Sequence, residues 1–182
     1  TNTNLMGKHN QLNFMAAIAA FREIDNKFED FSGALQKFPV INNRLEWIKE
    51  IDGINFYNDS KATNVASAIA AIESFVEKRI FLIAGGDSKN QNLTSFSEVV
   101  NDKVQSLYLI GKDAQLIGSA CKRIKGRKEI FSTLKEAVIS AFKDAKNGDI
   151  ILLAPACASY DMYKNYIERG NDFKSIIFNL SV

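Results

Sequence analysis

The chain has 182 residues, 46% of them hydrophobic and 24% charged, which suits one soluble globular domain, or one domain plus a piece of another. The 23 basic and 21 acidic side chains leave a formal charge of +2 with no basic block, so nothing supports a nucleic-acid partner electrostatically. No apolar run approaches the roughly 20 residues that span a bilayer, so no membrane partner is expected.

Thr1-Asn2-Thr3-Asn4 lacks the basic-then-apolar pattern of a signal peptide. Cys121 and Cys157 are too few and too far apart for a disulfide framework, and with only His9 beside them they make no zinc site. Reduced, buried thiols are the simplest reading, and together these features predict a cytoplasmic protein.

In chain order, Lys8 to about Ile24 reads as a helix. Its apolar positions (Leu12, Phe14, Met15, Ile18, Phe21) run nearly all round, predicting burial on several sides. A short helix over about Asp30–Lys37 stops before Phe38-Pro39, and the polar stretch Val40–Asn43 is the candidate domain boundary. Arg44–Ile51 and Gly53–Asn58 read as strands joined at Asp52-Gly53, a hairpin signal. A helix over Thr63–Phe75 follows. Strands are then predicted at Arg79–Ala84, Ser106–Ile110, Glu129–Phe131 and Asp149–Ala154. They alternate with helices at Thr94–Asn101, Ala114–Cys121 and Thr133–Asp144, and a last helix covers Met162–Phe178. Apolar runs such as Ile80–Ala84 and Ile150–Ala154 need cover on both faces. The fold class is therefore α/β, with an open, mainly parallel sheet and helices on both faces.

Ligands of such sheets sit at the carboxyl ends of the strands. Three predicted strands end there in polar loops: Asn58-Asp59-Ser60-Lys61-Ala62-Thr63-Asn64, Gly85-Gly86-Asp87-Ser88-Lys89, and Pro155-Ala156-Cys157-Ala158-Ser159. Each puts a hydroxyl, a cation or both beside a helix start, whose free N–H groups suit a carboxylate or phosphate. Taken singly, each loop is explained as simply by capping or turn formation: Asp59, Ser60 or Thr63 as caps, Asp87 and Ser88 as turn residues, Lys61 and Lys89 as solvated charges. Capping does not ask for lysine in two of three loops on one sheet edge, which favours an anion site. The phosphate-loop spacing G-x-x-x-x-G-K-[ST] occurs nowhere, and G-x-G-x-x-G is missing after the first strand, against a dinucleotide-binding domain. His9, at a helix start with no Ser or Cys nucleophile near it, reads as a hydrogen-bonded structural histidine. Asn10 and Asn13 share a helical face, where their amides suit either a base edge or neighbouring backbone.

Gly7-x-His9-Asn10-x-x-Asn13, Asn43-Arg44-Leu45-Glu46 and Asn58-Asp59-Ser60-Lys61-Ala62-Thr63-Asn64 resemble, in that order, the motifs of the Mur ligases. Gly85-Gly86-Asp87-x-Lys89, Pro155-Ala156-Cys157-Ala158-Ser159 and Asn165-x-x-x-Arg169-Gly170 resemble those of the members that add D-glutamate, so the likeness runs from Gly7 to Phe173.

The resemblance implies an ATP-dependent ligase of peptidoglycan precursor synthesis, joining D-glutamate to UDP-N-acetylmuramoyl-L-alanine through an acyl phosphate. Residues 1–40 would end a central ATPase domain, and residues 41–182 would form a C-terminal, Rossmann-like amino-acid-binding domain. The phosphate loop and the Mg2+ ligands would lie upstream, making this chain a fragment that is inactive alone. Asn10, Asn13, Arg44 and Asp59 would serve ATP. Lys61, Thr63, Lys89, Ser159, Tyr166 and Arg169 would form the D-glutamate pocket, with Lys61 and Arg44 also catalytic. Lysines, hydroxyls and backbone N–H groups suit a dicarboxylate, and cations suit a transferring phosphoryl group. A monomer is expected. Four positions depart from the family pattern: Asn43 for a usual histidine, Tyr166 for phenylalanine, Ser88 for glycine and Ala154 for serine. The alternatives are another Mur-type amino-acid ligase and a non-catalytic binding domain of the same fold.

Overall fold

In the computed structural model, which describes residues 8–25, 31, 33 and 41–180, helix α1 (Lys8–Arg22) precedes a regular alternation of strands and helices. The elements are β1 (Glu46–Ile51), β2 (Ile54–Asn58), α2 (Val65–Glu73), β3 (Ile80–Gly85), α3 (Thr94–Lys103) and β4 (Val104–Ile110), followed by α4 (Ala114–Ala120), β5 (Lys128–Phe131), α5 (Leu134–Asp144), β6 (Ile150–Leu153) and α6 (Tyr166–Phe178). Every residue of β3 and β6 is buried, as the unbroken apolar runs require.

The sheet runs β1-β2-β6-β3-β4-β5, with β1 antiparallel at one edge and the other five strands parallel. Asp52 and Gly53 close the β1–β2 hairpin with φ of 53° and 74°. Both lie in the left-handed region that a two-residue turn needs to match strand twist, and Ile51 pairs with Ile54 across it.

Side chains alternate across the sheet and fill two cores. On one face Leu82, Leu109 and Leu152 pack with Ala68 and Ile72 of α2, Phe96 and Val100 of α3, and Ile117 of α4. On the other, Phe81, Ile83, Tyr108 and Ile151 pack with Val138 and Ala141 of α5 and with Phe173 and Ile177 of α6. Each large apolar side chain enclosed this way contributes about 1.5–3 kcal/mol relative to exposure. The expected α/β architecture with helices on both faces is what forms.

Two expectations are corrected. α1 is not buried on several sides: Leu12, Met15 and Phe21 are 55, 63 and 42% exposed, and Ile24, just past its end, is 85% exposed. An apolar periphery makes a helix buriable, but burial needs neighbours. Here Phe31 meets Phe21 edge-on at 6.4 Å, while α2 to α6 spend their apolar faces on the sheet. The last helix begins at Tyr166, not Met162. Asn165 sits in extended backbone (φ −166°) and its carboxamide oxygen accepts from the Ile167 and Glu168 N–H groups, making it the N-cap. The N–H groups of Met162 and Tyr163 turn back onto the Ser159 carbonyl instead. The helix predicted over residues 30–37 and Val40 at the predicted boundary lie outside the described residues, apart from Phe31 and Gly33, which are helical. No described helix is long and apolar enough to cross a membrane.

Candidate functional site

β2, β6 and β3 are consecutive neighbours in the sheet, so the three polar loops meet at one carboxyl edge. The α2 cap is Asn64, whose oxygen accepts from the Ser67 N–H at 2.9 Å. Capping therefore does not occupy Asp59, Ser60 or Thr63. After β3, Asp87 accepts from the Lys89 N–H at 2.9 Å. Ser88 is 1% exposed and donates both its N–H and its O–H to Asp113 at 2.7 Å, which holds that carboxyl below its ordinary range. A local turn thus accounts for Asp87 and the contact with Asp113 for Ser88, which leaves Lys89 unexplained.

A cleft of about 290 Å³ lies between α1 and the loop after β2, lined by Asn13, Arg44, Asp59, Lys61, Ala62, Ala66, Ser67 and Ala70. Four of the residues predicted from sequence, an amide, a carboxylate and two cations, thus line one cleft together with the small α2 residues Ala66, Ser67 and Ala70. The side chains of His9 and Asn10 lie outside those described.

Asp59 is 5% exposed and accepts from the Leu45 N–H at 3.2 Å. Burial pushes its carboxyl up to about 6, although that N–H and the Arg44 charge pull it down. The folded state therefore holds this proton more tightly than the unfolded chain, so its contribution to stability falls as pH rises from about 4 to 6. Asp59→Asn keeps the acceptor and removes the buried charge. It is expected to stabilise the chain by about 2 kcal/mol at pH 8 and by almost nothing at pH 4. Urea unfolding at both values checks this; a loss of stability at pH 8 would refute it.

Lys61 and Lys89 make no ion pair among the described residues. Each ammonium lies instead over an aromatic ring: Lys61 over Tyr166 at 4.1 Å and Lys89 over Tyr160 at 5.4 Å. A ring face holds a cation without neutralising it. The Ser159 hydroxyl, on a residue only 3% exposed, makes no hydrogen bond among the described residues. Asp87 and Ala158 exchange backbone hydrogen bonds at 3.0 and 2.9 Å, setting the Lys89 loop beside Ser159. Gly86 makes that approach possible: at φ 128° its missing Cβ would collide with the Ala158 carbonyl oxygen.

Arg169 sits beneath the loops at 1% exposure. It donates from Nε to Ser60 Oγ (3.0 Å), from one terminal nitrogen to the carbonyls of Ser60 (3.0 Å) and Cys157 (3.1 Å), and from the other to Gly85 (3.5 Å). Ser60 Oγ in turn donates to the Tyr166 carbonyl at 2.8 Å. One guanidinium thus ties all three loops to the start of α6. Burial pulls its pKa down to about 10, so it stays charged at neutral pH. Burial pushes the thiols of Cys121 and Cys157 up to about 11 and 12, in keeping with inert, reduced cysteines.

Sequence reasoning left Asn58, Glu46 and Lys174 without roles. The Asn58 amide donates to Asn43 Oδ1 at 2.9 Å, and Glu46 accepts from the Asn43 N–H (2.9 Å) and pairs with Lys174 at 2.6 Å. Asn43, at φ 61° and 3% exposure, turns inward against Gly170, whose missing Cβ would collide with its Oδ1. The motif Asn43-Arg44-Leu45-Glu46 was visible in sequence, but not that its outer residues anchor the segment.

A sequence profile of the Mur ligase, glutamate ligase domain matches residues 43–157, which carry two of the three loops whole and most of the third. The chain belongs to the Mur ligase family. It is 43% identical over 175 residues to a UDP-N-acetylmuramoylalanine–D-glutamate ligase of Caldicellulosiruptor bescii, covering 96% of this chain and 38% of that protein. It is 42% identical over 178 residues to the enzyme of the same name from Pelotomaculum thermopropionicum, covering 97% and 39%. The chain thus spans about two fifths of the length of these relatives. Among solved structures, the UDP-N-acetylmuramate-alanine ligase of Thermotoga maritima matches with a TM-score of 0.69 at 15% identity, over 96% of this chain and 39% of that one. A folylpolyglutamate synthase of Mycobacterium tuberculosis, complexed with ADP and AMPPCP, also gives 0.69 at 15% identity, over 97% and 41%. These two likenesses establish the fold.

Proposed function

We propose that this chain supplies the amino-acid side of a cytoplasmic ligase that joins D-glutamate to UDP-N-acetylmuramoyl-L-alanine. The observation that carries the reading is the pair of lysines, Lys61 and Lys89, held on ring faces at one sheet edge with no carboxylate partner among the described residues. Uncompensated ammonium groups beside a free hydroxyl suit a substrate bearing two carboxylates. The relatives that are 42–43% identical bear the name of that reaction.

ATP, when bound, supplies the phosphoryl group that turns the sugar-linked carboxylate into an acyl phosphate; the D-glutamate amine then displaces phosphate and an amide forms. Within this chain, Arg44 and Lys61 stabilise charge on the transferring phosphoryl group from the cleft they line, and Asp59 accepts from nucleotide hydroxyls there. Asn13, with Asn10, faces the base from α1. Lys89, Thr63 and Ser159 take the carboxylates of D-glutamate, Lys61 takes part on the other side, and Tyr166 keeps Lys61 in place. Arg169 acts by fixing the loops, because its donors are already spent on protein acceptors. Residues 1–40 belong to the ATP-cleaving part and 41–182 to the amino-acid part. Magnesium ligation is assigned outside this chain, and none of these side chains acts through the metal. The chain by itself contributes to catalysis without performing it, and the ligase acts as a monomer.

The test is amino-acid selectivity of a full-length ligase carrying this chain, given ATP and the nucleotide sugar. Phosphate release is expected with D-glutamate, and not with meso-diaminopimelate or L-lysine. Release with either of those alone would make it a different Mur-type ligase. No release with any amino acid would leave a non-catalytic domain.

A further inference from the structure

We infer that Gln91 is a positioning residue for the amino-acid pocket, its single carboxamide holding the three strand-end loops in register. Gln91 lies outside the Mur ligase motifs, two residues beyond Lys89. Its oxygen accepts from the Val65 N–H at 3.1 Å, and its amide nitrogen donates to the carbonyls of Ser88 at 2.9 Å and Ala156 at 3.3 Å. Ser88 and Ala156 belong to two of the loops, and Val65 directly follows the third, at the start of α2.

Each partner has reason to need it. Val65 is the first residue of α2, so its N–H has no intrahelical acceptor. Lys89, Asn90 and Ala156 have φ of 50°, 58° and 58°, a region that costs side-chain-bearing residues energy and persists only where the surroundings impose it. The carbonyls that the Gln91 amide captures belong to Ala156 itself and to Ser88, the residue before the Lys89–Asn90 pair. A carboxamide accepts at one atom and donates twice at the other. No carboxylate, hydroxyl or apolar side chain of that length does both. Val65 leads into the helix that follows Thr63, Ser88 precedes Lys89, and Ala156 starts the run to Ser159. Gln91 touches none of these three proposed substrate contacts and acts on all of them through backbone.

The inference rests on the D-glutamate reading, so the experiment has a substrate arm and a substrate-free arm. In the full-length ligase, Gln91→Leu is expected to raise the KM for D-glutamate about tenfold while the KM for the nucleotide sugar stays within about twofold. Gln91→Glu keeps the size and the acceptor but turns a carboxylate toward two carbonyls. Its KM for D-glutamate is likewise expected to rise, with the KM for the nucleotide sugar near that of the parent. In the 182-residue chain without substrate, Gln91→Leu and Gln91→Glu are both expected to speed amide hydrogen exchange across residues 85–91 and 155–159, and Gln91→Leu also at Val65. Unchanged exchange in both variants overturns the bridge, whatever the substrate proves to be. Faster exchange with equal rises in both KM values overturns the positioning role and leaves Gln91 a structural residue. If Gln91→Leu fails to fold, Gln91→Glu decides by the same readings. A parent enzyme that ignores D-glutamate refutes the substrate reading alone, and the exchange data still judge the bridge.

Discussion

Arg169→Met is expected to destabilise the chain by about 3–4 kcal/mol, the cost of stranding buried acceptors at this edge of the sheet. Methionine fills much of the guanidinium's volume, so the loss measures hydrogen bonding more than a cavity. The carbonyls of Ser60 and Cys157 and the Ser60 hydroxyl lose their donor in a place where water does not replace it. Arg169→Lys keeps the charge, but a single ammonium cannot reproduce a planar fork that reaches three loops, so an intermediate loss is expected. Urea unfolding of the two variants and the parent at one pH gives the comparison. A loss below about 1 kcal/mol for methionine would mean that the loops hold one another without the arginine.

Lys89→Ala is expected to act on binding and to leave folding alone. The side chain is exposed and its only charged or aromatic contact among the described residues is the Tyr160 ring at 5.4 Å, so its removal uncovers nothing. In a full-length ligase the KM for D-glutamate is expected to rise about 10- to 100-fold, the worth of one charge-assisted hydrogen bond to a carboxylate. The KM for the nucleotide sugar is expected to stay near that of the parent. Equal, small effects on both constants would remove Lys89 from the pocket.

Much of this architecture was legible in the sequence because it rests on local signals. The unbroken apolar runs of β3 and β6 forecast a sheet covered on both faces, Asp52-Gly53 marked the hairpin, and the helix expected over Thr133–Asp144 forms as α5 with Thr133 as its cap. The polar loops were legible for the same reason, since each follows its own strand directly. What stayed hidden depends on partners far away along the chain. The Arg169–Ser60 contact spans 109 residues, and Gln91 reaches 26 residues back to Val65 and 65 forward to Ala156. The resemblance put Arg169 among the pocket residues, and residue type carries no record of burial, so the backbone carbonyls it binds stayed out of view. α1 misled in the opposite sense, its apolar positions reporting a capacity for burial that the described neighbours do not meet.

The two residues that flank Arg44 are each stitched to the loop after β2: the Asn43 carbonyl accepts from the Lys61 N–H at 3.0 Å, and the Leu45 N–H donates to Asp59. Arg44 therefore travels with the sheet as part of a fixed three-residue gauge, tied to Lys61 through backbone and to Asp59 through its carboxylate. Asn13 belongs to α1, on the opposite bank. Any change in the width of the cleft is then read at one bank alone, with charge kept constant on the other and the amide supplying the variable distance.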